Sequence, residues 1–219
     1  MDTGVYVHGD LFLDHEEMYA KLLDMSWERK YSAGECIIEM GQRFSGFYLL
    51  TSGTIASSCT NLSGKKKTLG LHCARMLIGV SSLEDRPSGE EYICMTPVIT
   101  AFIPKEKFEK WDNSMLLGLA QIQTHKSRNL AWQIEYAKYY STEERTLRMV
   151  EEYERQLISN PNCGFAPDSG IKKQWVADIL GITNVRLSHI ISKLEKSGQI
   201  LSTKTEMKLN PHREEAQHG

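Results

Sequence analysis

Gln174-Trp175-Val176-Ala177-Asp178-Ile179-Leu180-Gly181-Ile182-Thr183-Asn184-Val185-Arg186-Leu187-Ser188-His189-Ile190-Ile191-Ser192-Lys193-Leu194 has the spacing of two short helices joined by a tight turn. Ala177 supplies the small residue needed where the first helix faces the second, and Gly181, four positions on, tolerates a sharp turn. Leu187 plugs the second helix into a core, and Ile190, Ile191 and Leu194 continue its apolar stripe. Thr183 is placed to cap that second helix. This is the pattern of a helix-turn-helix, and the outward face of its second helix carries Asn184, Arg186, Ser188, His189 and Lys193. Such groups suit base edges and phosphates.

The C-terminal neighbour of the motif strengthens the reading. Gln199 to Leu209 alternates around a polar centre like a short hairpin, the wing of a winged helix. From Ile171 to Asn210 there are seven basic residues against three acidic ones, although the whole chain of 219 residues has a formal charge of −2. An acidic body with a basic end fits a module that meets a polyanion. The candidate DNA contacts are Lys172, Lys173, Gln174, Thr183, Asn184, Val185, Arg186, Ser188, His189, Lys193 and, on the wing, Lys204.

Upstream, Ser141-Thr142-Glu143-Glu144 matches a capping box and starts a helix that runs to the break at Asn160-Pro161. Before it, Asn113 to Tyr140 holds no proline and, after Gly118, no glycine. Leu116, Ala120, Gln123, Ser127, Leu130, Ile134 and Ala137 recur at heptad spacing, the seam of a coiled-coil dimer. Leu117, Leu119 and Ile122 form a second stripe, expected to pack on the preceding domain. The Tyr139–Ser141 junction is the expected domain boundary and hinge. From Tyr31 to Pro104 short runs rich in β-branched and aromatic residues alternate with glycine turns, which predicts an antiparallel barrel or roll. The triple lysine Lys65-Lys66-Lys67 reads as a solvated hairpin tip.

Taken together, G-x5-F-Y-L-L-x2-G over Gly41–Gly53, Leu77-Ile78-Gly79, Thr142-Glu143-Glu144-Arg145 and the recognition unit Ile171–Lys196 resemble the Crp/Fnr family of bacterial transcription regulators. The likeness covers roughly residues 31–209. It implies an α+β fold: an N-terminal antiparallel β-roll (a double-stranded β-helix), a long dimerisation helix, and a C-terminal winged helix-turn-helix. The expected division is 1–111 for a cyclic-nucleotide-binding-like effector domain, 112–140 for the dimerisation helix, and 141–219 for the DNA-binding domain. The family's pattern also implies a homodimer on a near-palindromic operator, with half-sites about 34 Å apart, and RNA polymerase as a further partner. The effector would lie against Gly79, Val80, Ser81 and Ser82 and against Leu130 and Ala131.

Departures from the family bear on the effector and the operator. Nucleotide-binding members open their phosphate cassette with Gly-Glu and close it with Arg-Ser; here Gly79 is followed by Val80, and the end reads Glu90-Glu91. Two carboxylates repel an anionic phosphodiester, so cyclic AMP is not the expected effector. Leu130-Ala131-Trp132 points instead to a less polar ligand. No cysteine precedes Cys36, which removes the N-terminal iron–sulfur ligands, and His72 beside Cys73 reads as a structural histidine rather than a haem ligand. No cofactor is expected. Relatives read G·C pairs with a Glu and an Arg four apart; Val185 and His189 stand there, which predicts an unusual operator. Lys172 replaces the usual Ser/Thr cap before the first helix of the motif.

Other classes fit less well. A cupin-like metalloenzyme needs a histidine cluster, and His72 is the sole histidine between His15 and His125. No nucleophile elbow, P-loop or zinc-protease spacing occurs, so no catalytic residue and no metal ligand is expected. The alternative to a ligand-gated regulator is an effector-independent DNA-binding protein whose β-roll serves as a dimer scaffold. Five cysteines without a C-x-x-C pair, an acidic Met1–Met18 without a basic n-region, and the absence of a long apolar stretch suit a reducing cytoplasm without membrane insertion. Asn210–Gly219 reads as a disordered tail without a role.

Overall fold

The computed structural model describes residues 5–9 and 15–213. In chain order its first part contains β1 (Val7–His8), α1 (Glu16–Asp24), β2 (Trp27–Tyr31), β3 (Cys36–Ile38), β4 (Gly46–Ser52), β5 (Thr54–Thr60), β6 (Lys66–Cys73), β7 (Met76–Ile78), β8 (Glu91–Cys94) and β9 (Val98–Pro104). These strands form two facing sheets, ordered β1-β6-β5-β8-β3 and β2-β9-β4-β7. The roll is antiparallel except for β1, which pairs parallel with β6. Its interior is apolar: Ile38, Phe47, Leu49, Ile55, Leu77 and Ile103 are buried there.

The long helix α2 (Asn113–Tyr139) begins where Asp112 accepts the Met115 N–H at 2.9 Å. It closes one side of the roll with Met115 and Ile122, and Trp111 packs edge-on against Phe47. Of the predicted second stripe, Ile122 is buried and Leu119 packs on the core, but Leu117 is exposed. The roll-facing line instead runs through Met115, Gly118, Ile122 and Asn129, the period of one helix face.

α2 ends one residue short of a clear junction. Ser141 Oγ accepts the Glu144 N–H at 3.2 Å, and Glu144 Oε2 accepts the Ser141 N–H at 2.7 Å, which starts α3 (Thr142–Ser159). Then come β10 (Ile171–Lys172), α4 (Lys173–Leu180), α5 (Asn184–Lys196), β11 (Ile200–Ser202) and β12 (Glu206–Leu209), with the three short strands paired as β10-β12-β11.

Sheet β1-β6-β5-β8-β3 is covered on both faces. Ile55 and Cys94 face the roll interior, whereas Ala56, Leu71 and Cys73 join a second core with Met149, Val150, Tyr153, Leu187 and Ile190 of the helical domain. Neighbouring residues of a strand point to opposite faces, so Ile55 and Ala56 serve two different cores. The 160–163 loop fastens this contact: Gly53 N–H donates to Asn162 O at 2.7 Å, Thr54 Oγ to Cys163 O at 2.7 Å, and Asn160 Nδ2 to Ala74 O at 3.0 Å. The helix break at Tyr140 therefore joins two bodies that also share a buried core.

Several elements differ from expectation. α1, β1, β2, β7 and β10 carry no strong pattern in the sequence and are set by pairing and packing. Lys66 and Lys67 lie within β6 rather than at the hairpin tip, and Lys66 pairs with Glu91. The start of the expected tail is ordered by contacts: Asn210 Nδ2 donates to Gly198 O at 2.9 Å, and Arg213 lies 3.5 Å from Glu151. Residues 214–219 of that tail, and residues 1–4 and 10–14 of the acidic N-terminal stretch, lie outside the described residues.

Candidate nucleic-acid interface and effector cavity

The turn between α4 and α5 forms because Gly181 adopts φ +67°, where a side chain would be strained, and because Thr183 Oγ1 accepts the Arg186 N–H at 3.2 Å. Leu187, Ile190, Ile191 and Leu194 of α5 are buried. Asn184, Val185, Arg186, Ser188, His189 and Lys193 are exposed. Val185, His189 and Ser192 form the crest at i, i+4 and i+7; Ser192 escaped the sequence reading although the helical period marks it.

The crest has a basic flank on each side. On one side lies a groove lined by Lys172, Lys173, Asn184, Ser188, Lys204 and Thr205, among others. Lys172 caps α4 without a side-chain hydrogen bond, and its ammonium lies 4.8 Å from the Trp175 ring centroid. Lys204 is exposed on the wing turn. Lys173 differs from the expected free contact: its ammonium donates to Ser202 Oγ at 3.2 Å and Thr203 O at 2.5 Å, holding the wing to α4. Gln174 is similarly engaged, donating to Asp178 at 2.8 Å and accepting from Asn184 at 3.4 Å. On the other flank Arg186 donates to Thr142 Oγ1 at 3.1 Å, and Lys193 lies 3.4 Å from Glu143. Exposed pairs of this kind are weak and readily exchanged for phosphate.

The heptad seam of α2 lies open. Leu116, Ala120, Ser127, Leu130, Ile134 and Ala137 are exposed, with Ile134 at 71%. Gln123 is half-buried, and its Nε2 has no hydrogen-bond partner among the described residues.

A cavity of about 100 Å³, partly open to solvent, lies between the roll and α2. It is lined by His8, Ser57, Leu69, His72, Ile78, Glu90, Tyr92, Lys126, Asn129, Leu130 and Gln133. Of the six residues expected at the effector site, Leu130 lines it. Gly79, Val80, Ser81 and Ser82 form the start of the 3-10 turn Val80–Glu84, whose entry needs Gly79 at φ +78°; they and the exposed Ala131 stand outside the lining. The α2 contributors that were missed, Lys126, Asn129 and Gln133, recur at a three-four spacing, a polar stripe beside the heptad seam.

His72 and His8 stack with ring centroids 5.1 Å apart, His72 Nε2 lies 2.7 Å from Ser57 Oγ, and His8 Nδ1 lies 3.3 Å from Asn129. Burial, then the nearby His8 and Lys126, hold His72 well below the ordinary imidazole range. Burial also pushes the Lys126 ammonium down to about 8, against the opposing pull of Glu90. Tyr92 is pushed well above its ordinary value by burial and by the negative charge of Glu90 nearby. Arg86 pairs with Glu84 at 3.6 Å on the surface, away from this lining. Among the described residues no group of three or more His, Cys, Asp or Glu is placed to hold a metal ion, and no helix is long and apolar enough to cross a membrane.

Residues 28–113 match the cyclic nucleotide-binding domain family. Among curated protein sequences no match is found. The chain is similar in structure to FixK2 from Bradyrhizobium japonicum, with a TM-score of 0.72 at 16% identity over 88% of this chain and 96% of FixK2. It is also similar to TTHA1359 from Thermus thermophilus, a transcriptional regulator of the CRP/FNR family, with a TM-score of 0.71 at 17% identity over 88% and 97% of the two chains. CprK complexed with OCPA superposes with a TM-score of 0.67 at 17% identity, over 98% of this chain and all of CprK. At such identities the likeness speaks for the fold.

Proposed function

We propose that this chain, which carries a cyclic nucleotide-binding domain at residues 28–113 and the fold of the CRP/FNR regulators, is a sequence-specific DNA-binding transcription regulator that acts as a homodimer. The observation that carries this reading is α5: a helix anchored by four buried aliphatic side chains, with a polar crest in solvent and basic residues on both flanks. A helix of that shape fits the major groove. The open seam of α2 supplies a face on which two copies pair, and a two-fold pair presents two copies of α5.

On the operator, Val185 offers a methyl surface to thymine, and His189 offers a hydrogen-bonding edge. Arg186, Lys193, Lys172 and Lys204 serve the phosphates, with Lys173 and Gln174 positioning the wing and α5. RNA polymerase is the further partner of such a regulator, and the cytoplasm is its compartment.

The effector occupies the cavity between roll and α2 and is not cyclic AMP: no arginine is among the described residues that line it, and a cavity of about 100 Å³ suits a body smaller than a nucleotide. It acts by favouring one of two arrangements of roll and helical domain by about 1–3 kcal/mol.

Selection of bound sequences from random duplex DNA, repeated at several salt concentrations, tests the reading. Enrichment of a near-palindrome with half-sites about one helical turn apart, and a log–log loss of affinity with salt, is expected. A monomeric protein, or one without preference for any duplex over competitor DNA at moderate salt, overturns it. Operator binding with no ligand-dependent change, together with no thermal shift from any metabolite, would favour the effector-independent scaffold.

A further inference from the structure

The cavity has one unusual member. Lys126 projects from α2 into the space between helix and roll, and its ammonium donates to one acceptor among the described residues, the Leu77 carbonyl oxygen. An ammonium has three N–H donors, so two remain without a partner among those residues. No carboxylate lies within salt-bridge distance of it among the described residues; Glu90 acts on it from farther away. Beside it, His72 Nδ1 is buried without a hydrogen-bond partner among the described residues, while Nε2 meets Ser57. The cation and the ring nitrogen thus keep hydrogen-bonding capacity that an occupant of the cavity can complete.

The rest of the wall is largely apolar or aromatic, with Leu69, Ile78, Tyr92 and Leu130. This combination suits an occupant with a flat or compact apolar body and a single anionic head.

We infer that the cavity binds a small organic acid, a monocarboxylate or phenolate of about one ring in size, whose anionic head is held by Lys126. The inference rests on the effector-binding reading above and names its ligand class. A charged head on Lys126 gains a short, charge-assisted hydrogen bond, while the ring covers the apolar wall. A cation would meet Lys126 at the same place, and a cyclic nucleotide would bring a sugar and a base besides its anion, more than a cavity of about 100 Å³ suits.

Isothermal titration of the full-length protein, without DNA, tests this with matched probes: benzoate, phenylacetate and 4-nitrophenolate against benzamide, benzyl alcohol and benzylamine, with cyclic AMP alongside. The anions are expected to bind in preference to the neutral and cationic rings. Lys126→Met is expected to weaken the anions by roughly tenfold or more while leaving benzamide and benzyl alcohol unchanged. Lys126→Gln is the second variant, and retained thermal stability shows that either substitution has kept the fold. Preference for benzylamine or cyclic AMP, equal binding of anions and neutral rings, binding by none of the anions, or anion affinity unchanged in both variants overturns the inference. Operator selection reads out separately, so a protein that finds its operator and ignores organic acids loses this inference and keeps the regulator reading.

Discussion

The Glu152 carboxylate of α3 grips the backbone of Tyr6: Oε2 accepts the Tyr6 N–H at 2.7 Å, across 146 residues of chain. The same carboxylate accepts the Val5 N–H at 2.7 Å and the Val7 N–H at 3.1 Å, and Arg148 Nε approaches it at 2.7 Å. Tyr6 is held again through its hydroxyl, which accepts from Arg145 Nε at 3.0 Å. Gln133 of α2 donates to Val5 O at 2.7 Å and to Leu69 O at 3.0 Å. The segment Val5–His8 thus touches the cavity between roll and α2 through His8, the long helix through Gln133, and the helical domain through Glu152.

Glu152 is 1% exposed. Removing its carboxylate strands three backbone N–H groups and takes a buried acceptor from Arg148. Glu152→Ala is therefore expected to lower stability by roughly 3–5 kcal/mol, the usual cost of breaking a buried charged cluster from one side. Glu152→Gln is also expected to destabilise, because its NH2 meets donors and not acceptors. Urea unfolding followed by circular dichroism measures both; a loss below about 1 kcal/mol for the alanine variant would contradict this account of the segment.

His72 sets a second expectation. Its folded pKa is depressed by burial and by His8 and Lys126, whereas the unfolded value lies near 6.5. At pH 8 both states are neutral at this site. As pH falls below about 6.5 the unfolded chain takes up a proton that the folded one refuses, so stability declines on acidification and recovers as pH rises. The ring faces Ser57, His8, Lys126 and, at 6.5 Å, Tyr92. His72→Gln, with no group to titrate, is expected to flatten the decline between about pH 6.5 and 5 in denaturant titrations. An unchanged slope would show that the loss arises elsewhere.

The helix-turn-helix was legible because its signals are local. Ala177, Gly181, Thr183 and Leu187 act within a few residues of each other, and the capping box at Ser141–Glu144 closes on itself. The heptad pattern of α2 lies on one continuous helix, and its residues other than Gln123 are exposed. The cavity was not legible: His8, Ser57, His72, Glu90 and Lys126 come from five separate stretches, brought together by strand register such as Ile55 opposite His72 and Ser57 opposite Tyr92. The family pattern pointed to Gly79–Ser82 with Leu130 and Ala131, and of these Leu130 lines the cavity. The run Thr54–Ser58, polar in composition, is buried throughout because the helical domain covers its second face. Double burial leaves no alternation to read.

The cysteines should divide by burial. Burial pushes the Cys73 thiol up to about 12 and the Cys94 thiol up to about 11. Cys163 is buried as well, while Cys36 is exposed and Cys59 half-buried. The thiolate is the reactive form, so an aromatic disulfide reagent at about pH 8 is expected to modify Cys36 and Cys59 in the native protein. Cys73, Cys94 and Cys163 should react after unfolding in denaturant. Peptide mapping by mass spectrometry reads the sites; rapid native labelling of Cys73 would mean that the contact between roll and α3 opens on that timescale.

The proposed dimer seam gives the most direct test of assembly. Ile134 is 71% exposed and packs on no core of its own chain among the described residues, so replacing it should leave the protomer's stability within about 0.5 kcal/mol. In a two-fold pair the seam brings each Ile134 against the partner helix, and each pair of copies loses two buried aliphatic side chains at once. A glutamate at this position in both chains would add like charge across the seam, so Ile134→Glu is expected to weaken dimerisation by roughly 3 kcal/mol or more, about a hundredfold. Operator affinity should fall with it, because a monomer reads one half-site. Sedimentation velocity across a concentration series gives the assembly, and operator titration at fixed salt gives the affinity. A variant that stays dimeric and binds as tightly as the parent would place the dimer interface off this face of α2.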